Sequence, residues 1–310
     1  MSNCIGDVRE MGKRVGVFLF MVLVVIGCSS NSTVLNQVNV DSNMENYKEE
    51  ETPEAVEALE EDPLDVEKDE LRQGLEELAL EVNGQVYDDS SEFSEYVSGV
   101  KTRMETEEKV ISLTLDACGG EFGSGFDEKL ISFLIENNIK ADLFVNARWI
   151  DAQYEAFVEL SKNPLFTIQN HGTEHKPLST SPRSAWRISS TSTQAEIIDE
   201  IMDNQLKILE ITGTIPQYFR SGTAFYDEIS VQIAEDLGVQ VVNFDVIGDG
   251  GATFTKDEVV QEMLKAQPGS IVILHMNQPE SETAEGAKEA VLSLIEQGFS
   301  FVHLHEFELE

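Results

Sequence analysis

Basic residues and cysteines are scarce in this chain. Only 21 of its 310 residues are Lys or Arg against 58 Asp or Glu, for a formal charge of −37. A polyanion needs cationic side chains to displace its counterions, so a general affinity for nucleic acid is excluded. The three cysteines are Cys4, Cys28 and Cys118. Cys4 falls in an N-terminal leader and Cys28 at its end, which leaves Cys118 alone in the folded part and excludes an internal disulfide framework there. Stability must therefore come from an apolar core, and a chain of this length can bury a substantial one. The apolar run over residues 15–26 is too short to span a bilayer as a permanent helix.

That run is preceded by Arg9, Lys13 and Arg14, the charge-then-apolar order of a signal peptide. It ends in Val25-Ile26-Gly27-Cys28-Ser29, which resembles the bacterial lipobox. The resemblance implies cleavage before Cys28, lipid on its sulfur, and an exported protein anchored to a membrane. Residues 1–27 are then the lipoprotein signal peptide and 28–109 an acidic linker, with runs such as Glu49-Glu50-Glu51 and Glu60-Glu61-Asp62. Such a composition stays solvated, so a largely disordered stalk is expected, holding the folded part away from an anionic membrane surface. Leu64, Leu71, Leu75 and Leu78 recur at near-helical spacing and predict one amphipathic helix over 63–81.

From residue 110 the pattern changes to short apolar strands alternating with helical segments. Strands are expected at 110–115, 141–145, 165–170, 218–220, 240–244, 270–275 and 300–303. Helices are expected at 127–138, 152–162, 192–212, 228–237, 255–266 and 283–297. This alternation predicts an α/β fold of parallel strands joined by right-handed crossovers, either a barrel or an open doubly wound sheet. Nearly every strand ends in a chemically capable residue: Asp116, then Asn146 and Arg148, His171, Arg220, Asp245 and Asp249, His275, and finally His303 with His305. Catalytic groups of α/β barrels gather at that end of the strands. For Asn146, His303 and His305, a polar group facing solvent is the better reading.

His171 and His175 are the most informative pair. Two imidazoles four positions apart, after a short apolar strand, can hold one divalent metal. A pair of loop histidines that bind nothing is the competing reading, and the other strand-end residues count against it.

Five segments together resemble the polysaccharide deacetylases, the NodB-like carbohydrate esterase family 4. In order they are Leu113-Thr-Leu-Asp-Ala-Cys-Gly-Gly120, Asn170-His-Gly-Thr-Glu-His-Lys-Pro177, Phe219-Arg-Ser-Gly222, Val242-Asn-Phe-Asp-Val-Ile-Gly-Asp249 and Ile271-Val-Ile-Leu-His275. The resemblance implies a distorted (β/α)7 barrel over residues 110–310, a divalent metal that is usually zinc, and hydrolysis of N-acetyl groups on an amino-sugar polysaccharide. Carried onto the matching positions, it makes His171 and His175 metal ligands, Asp116 the base and His275 the acid. Arg220 would pair with Asp116 through the planar guanidinium fork, and Asp249 or Asp245 would orient His275.

Two positions depart from the family's pattern. Ala117 stands where the family has a second aspartate that ligates the metal, and Ser221 where a proline is common. If the first strand runs through this point, Asp116 and Cys118 share one face and either can substitute as third ligand. A small buried residue is the preferred reading of Cys118. Ala117 also keeps open a catalytically impaired carbohydrate-binding lipoprotein, and the fold admits hydrolysis of another non-peptide carbon–nitrogen bond. Trp149, Trp186 and Phe225 fall near the expected site; core packing is the default for each, with Trp186, between Arg183 and Arg187, the best placed to stack on a sugar ring.

Overall fold

The computed structural model describes residues 63–310. Cys28, the leader and the first part of the expected linker lie outside the described residues.

Strand β1 (Val110–Ala117) is buried along its whole length, as are β2 (Ala141–Val145) and β9 (Ser270–His275), which flank it in parallel. Strands covered on both faces lie inside an α/β protein. The remaining strands are β3 (Phe166–Asn170), the hairpin pair β4 (Ser184–Ala185) and β5 (Ile188–Ser189), β6 (Tyr218–Phe219), β7 (Gln240–Val241), β8 (Val246–Ile247) and β10 (Ser300–Phe301). The main sheet runs β7-β6-β3-β2-β1-β9-β8, with β10 added against the start of β1, and every pairing in it is parallel.

This order forces the sheet to curl. Laid flat, its two edges β7 and β8 would stand about 29 Å apart at the usual strand spacing. Yet β7 ends at Val241 and β8 begins at Val246, and the connection between them reaches about 18 Å even when fully extended. The sheet is therefore a curled half-barrel with helices around it. Residues 101–104 strap the open side: Lys101 bridges Val242, Arg103 bridges Ser270 and Met104 bridges Leu309. The strand expected at 240–244 is thus only Gln240–Val241, because the chain then crosses the opening to form β8 on the opposite edge.

The helices are α1 (Pro63–Asn83), α2 (Glu128–Glu136), α3 (Ala147–Ala152), α4 (Tyr154–Ser161), α5 (Gln194–Thr212), α6 (Glu228–Asp236), α7 (Lys256–Met263) and α8 (Thr283–Glu296). Asp127, Thr193, Asp227 and Thr255 cap α2, α5, α6 and α7 by accepting a backbone N–H from the first turn, which fixes where each loop becomes helix. The largest core cluster lies between the sheet and α2, α3, α4, α7 and α8.

The segment 63–109, expected to belong to the linker, packs on this body. Leu75 and Val82 of α1 are buried with Ile197, Ile201 and Leu209 of α5, while Leu71 is 37% exposed. The apolar stripe is thus Leu75, Leu78, Ala79 and Val82, displaced toward the end of the expected helix. Gln194 also donates to the Val82 carbonyl at 2.6 Å. A stripe of that spacing buries itself once a matching apolar face is available, whatever the acidity of the other side of the helix.

Candidate active site

The strand ends converge as their sequence positions suggest. Asp116 at the end of β1 and Arg220 after β6 are both buried, and the Arg220 Nη1 donates to Asp116 Oδ1 at 2.6 Å. The guanidinium does not offer its whole fork to the carboxylate. Nη1 also donates to the Thr114 hydroxyl at 3.0 Å, Nε to the Val242 carbonyl and Nη2 to the Asn243 carbonyl, each at 3.0 Å. Its face lies 4.2 Å from the Phe144 ring centroid. Arg220 is therefore a buried cation with an acceptor at each of its three nitrogens, placed so that one oxygen of Asp116 is held. The other oxygen, Oδ2, lies 3.6 Å from His171 Nε2.

His171 follows β3. Its Nδ1 faces the Arg220 carbonyl at 2.9 Å, a contact that requires the proton on Nδ1 and leaves Nε2 with a lone pair. Burial pushes the His171 imidazole below its ordinary pKa despite the Asp116 charge, and burial with His171 beside it pushes His175 down further. Both rings are thus neutral at pH 7, the form that ligates. Their Nε2 atoms are buried without a hydrogen-bond partner, a costly state for polar atoms unless something else fills the space between them. A ring nitrogen from each and the Cys118 Sγ all lie within 4.8 Å of one another. This donor set fits a divalent ion. Asp116 is not part of the cluster.

The loop carrying the histidines is held from three sides. Asn146 is wholly buried; its side chain caps α3 and donates to the His171 and Gly172 carbonyls at 2.9 and 2.8 Å. The expectation that it faces solvent is corrected by these bonds, which pull it under the loop. The Glu200 carboxylate accepts the backbone N–H groups of Glu174 and Lys176. Burial raises its pKa to about 7 in spite of those donors. Gly222 passes against His175, whose own φ is +63°. Sequence reasoning missed Glu200. The available signal was a carboxylate at i+3 from Ile197, on the buried stripe of an otherwise amphipathic helix.

His275, at the end of β9, meets Asp249 twice: Nδ1 lies 2.9 Å from Oδ1, and the backbone N–H donates to Oδ2 at 2.7 Å. Burial alone would push the Asp249 carboxyl up, but His275 holds it below the ordinary carboxylate range. Asp245, the alternative partner, is engaged elsewhere, with Arg103, the Ser270 hydroxyl and the Ile271 N–H. His303 is buried and faces Asp142, contrary to the solvent-facing expectation, because the chain folds inward after β10. His305 is exposed beside it.

One cleft joins these groups. Asp116, His175 and His275 line it together with Trp186, Ser221 and Gly222. Trp186 is 42% exposed and stands on the two-residue turn between β4 and β5, with φ of +51° and with Arg187 at +69°. It meets Phe225 edge-on, and Phe225 in turn packs with Phe93. Trp149 instead lies in the core, its Nε1 donating to the Gly125 carbonyl at 2.8 Å. Ser221 is positioned by its backbone N–H, which donates to the Tyr226 hydroxyl at 2.8 Å.

A family model described as polysaccharide deacetylase matches residues 103–242. Among solved structures, PdaA of Bacillus subtilis, a family 4 carbohydrate esterase, is 23% identical with a TM-score of 0.57, over 76% of this chain and 88% of that one. A family 4 carbohydrate esterase from Bacillus anthracis is 22% identical with a TM-score of 0.53, over 67% and 86% of the two chains. A family 4 pseudoenzyme from Bacillus anthracis is 21% identical with a TM-score of 0.56, over 66% and 67%. No curated protein matches the chain. The family model supports the polysaccharide deacetylase family, and the solved structures show its fold.

Proposed function

We propose that this chain is a metal-dependent deacetylase that removes N-acetyl groups from the amino sugars of a cell-envelope or extracellular polysaccharide. The observation that carries the reading is one cleft lined by Asp116, His175 and His275, with Arg220 bonded to Asp116, His171 beside the free oxygen of Asp116 and Asp249 bonded to His275. His171 and His175 would hold a divalent ion, zinc being the usual one, which would supply Lewis acidity toward the acetyl carbonyl and the attacking water.

The chain's own residues do the rest. Asp116 takes the proton of the attacking water with the oxygen that Arg220 leaves open, and Arg220 holds the carboxylate in place. His275 delivers a proton to the departing nitrogen, so that acetate and a free amine are released. Asp249 sits at Nδ1 of His275, orients the ring and stabilises its cationic form. Trp186 offers a flat apolar face at the cleft's edge, suited to the ring of a neighbouring sugar.

The leader motif supports export and a lipid anchor on Cys28, which would keep the enzyme at a membrane beside its polymer. Fatty-acid labelling of the chain, lost in Cys28→Ser, tests the anchor. Ala117 favours a second reading, a carbohydrate-binding protein without catalysis. Acetate release from a panel of acetylated glycans, with and without chelator, separates the two: chelator-sensitive release supports the enzyme, and glycan binding with no release supports the second reading.

A further inference from the structure

We infer that Cys118 is the third protein ligand of the metal, making the centre a Cys-His-His site. This rests on the deacetylase reading for the existence of a metal, and goes beyond it in naming a sulfur donor and what that donor selects.

The neighbouring candidates are accounted for. Ala117, the last residue of β1, is wholly buried in the apolar cluster between sheet and helices and offers no donor atom. Asp116 has one oxygen on Arg220 and stands outside the convergent group. Cys118, one residue on, belongs to none of the apolar clusters although it is 3% exposed. Its sulfur shares with the two histidines the only group of three or more potential ligand atoms found among the described residues. The independent observation is that the Nε2 atoms of both histidines are buried without hydrogen-bond partners. Gly119 and Gly120, at φ of +70° and +81°, turn the chain directly after Cys118, and a Cβ at Gly119 would lie 2.6 Å from the Trp149 backbone nitrogen. The turn is thereby fixed against α3, which holds the cysteine where the strand ends.

One thiolate and two imidazoles with a further position open is a donor set suited to zinc or cobalt and poorly suited to magnesium or manganese, which prefer oxygen.

The test is cobalt loading of the full chain, followed by absorption spectroscopy. A near-ultraviolet thiolate-to-cobalt charge-transfer band is expected. Cys118→Ala should lose it and weaken zinc by more than the roughly 10–100-fold that loss of an outer partner costs. Cys118→Asp, with an oxygen donor, should regain binding without the band and so shows that the site still folds. Cobalt bound stoichiometrically with no such band, or zinc affinity unchanged in Cys118→Ala, overturns the assignment while leaving the deacetylase reading intact. No ion bound by the unaltered chain overturns both.

Discussion

Gly222 and His175 are in backbone contact: a Cβ placed on Gly222 would lie 2.3 Å from the His175 carbonyl carbon and oxygen and 2.4 Å from its ring Cγ. No rotamer change relieves a clash with backbone. Gly222→Ala is therefore expected to displace His175 and to weaken metal binding, with an overpacking cost of about 1–3 kcal/mol. Metal affinity by competition with a chelating dye, alongside a melting curve, checks it. Unchanged affinity would show that His175 does not need its present position.

Asp116→Asn should reduce acetate release by about two to four orders of magnitude, since the amide cannot take a proton from water. Metal content should stay at the level of the unaltered protein. The melting temperature should fall as well, because the buried Arg220 then lacks its anion and keeps only neutral acceptors. Metal lost together with activity would identify Asp116 as a ligand, and full activity would remove it as the base.

Glu200 ties the histidine loop to stability in a pH-dependent way. Its pKa is raised from 4.5 to about 7 in the folded chain, so the folded state favours the protonated form. The stabilisation is full below pH 4.5 and is lost as the pH rises through about 7, by a total on the order of 3 kcal/mol. Glu200→Gln should flatten that part of the curve while keeping an acceptor for the Glu174 and Lys176 amides. Denaturant melts of both proteins between pH 4.5 and 8 measure it, and parallel slopes would refute the assignment.

Trp186 and Arg187 hold a turn in the left-handed region that side chains disfavour by roughly 1–2 kcal/mol per residue. Trp186→Gly should therefore leave the fold as stable as before or nearly so. If the indole stacks on a sugar next to the reacting one, KM for a long acetylated oligomer should rise several-fold while hydrolysis of a single acetylated sugar barely changes. An equal effect on both substrates would show that the ring contributes nothing along the polymer.

Much of this arrangement can be read from the sequence. The apolar runs mark β1, β2, β3 and β9 to within two residues, and Asp116, His175 and His275, at or just beyond the ends of β1, β3 and β9, line the cleft. The hairpin β4–β5 and strand β8 are two residues per strand, too short for any periodicity to register; the pairing of β8 is decided by where β9 already lies. The supports of the loop escaped for a different reason. Asn146 and Glu200 act on backbone amides and carbonyls, which leave no trace in the side-chain pattern. The stripe on α1 was readable, but the face that receives it, on α5, becomes apolar and available only when the sheet is in place.

The strap at residues 101–104 sets where this protein can be cut. Its Lys101 and Met104 amides donate to the Val241 and Gly269 carbonyls, and the Asn243 amide donates to the Lys101 carbonyl. A fragment beginning at Val110, the start of β1, would leave those groups unpaired beside the opening between β7 and β8, and would bare the apolar face of α5 that α1 covers. Open strand edges next to exposed apolar surface recruit other chains. Such a fragment would aggregate, whereas one beginning at residue 63 keeps the seam closed.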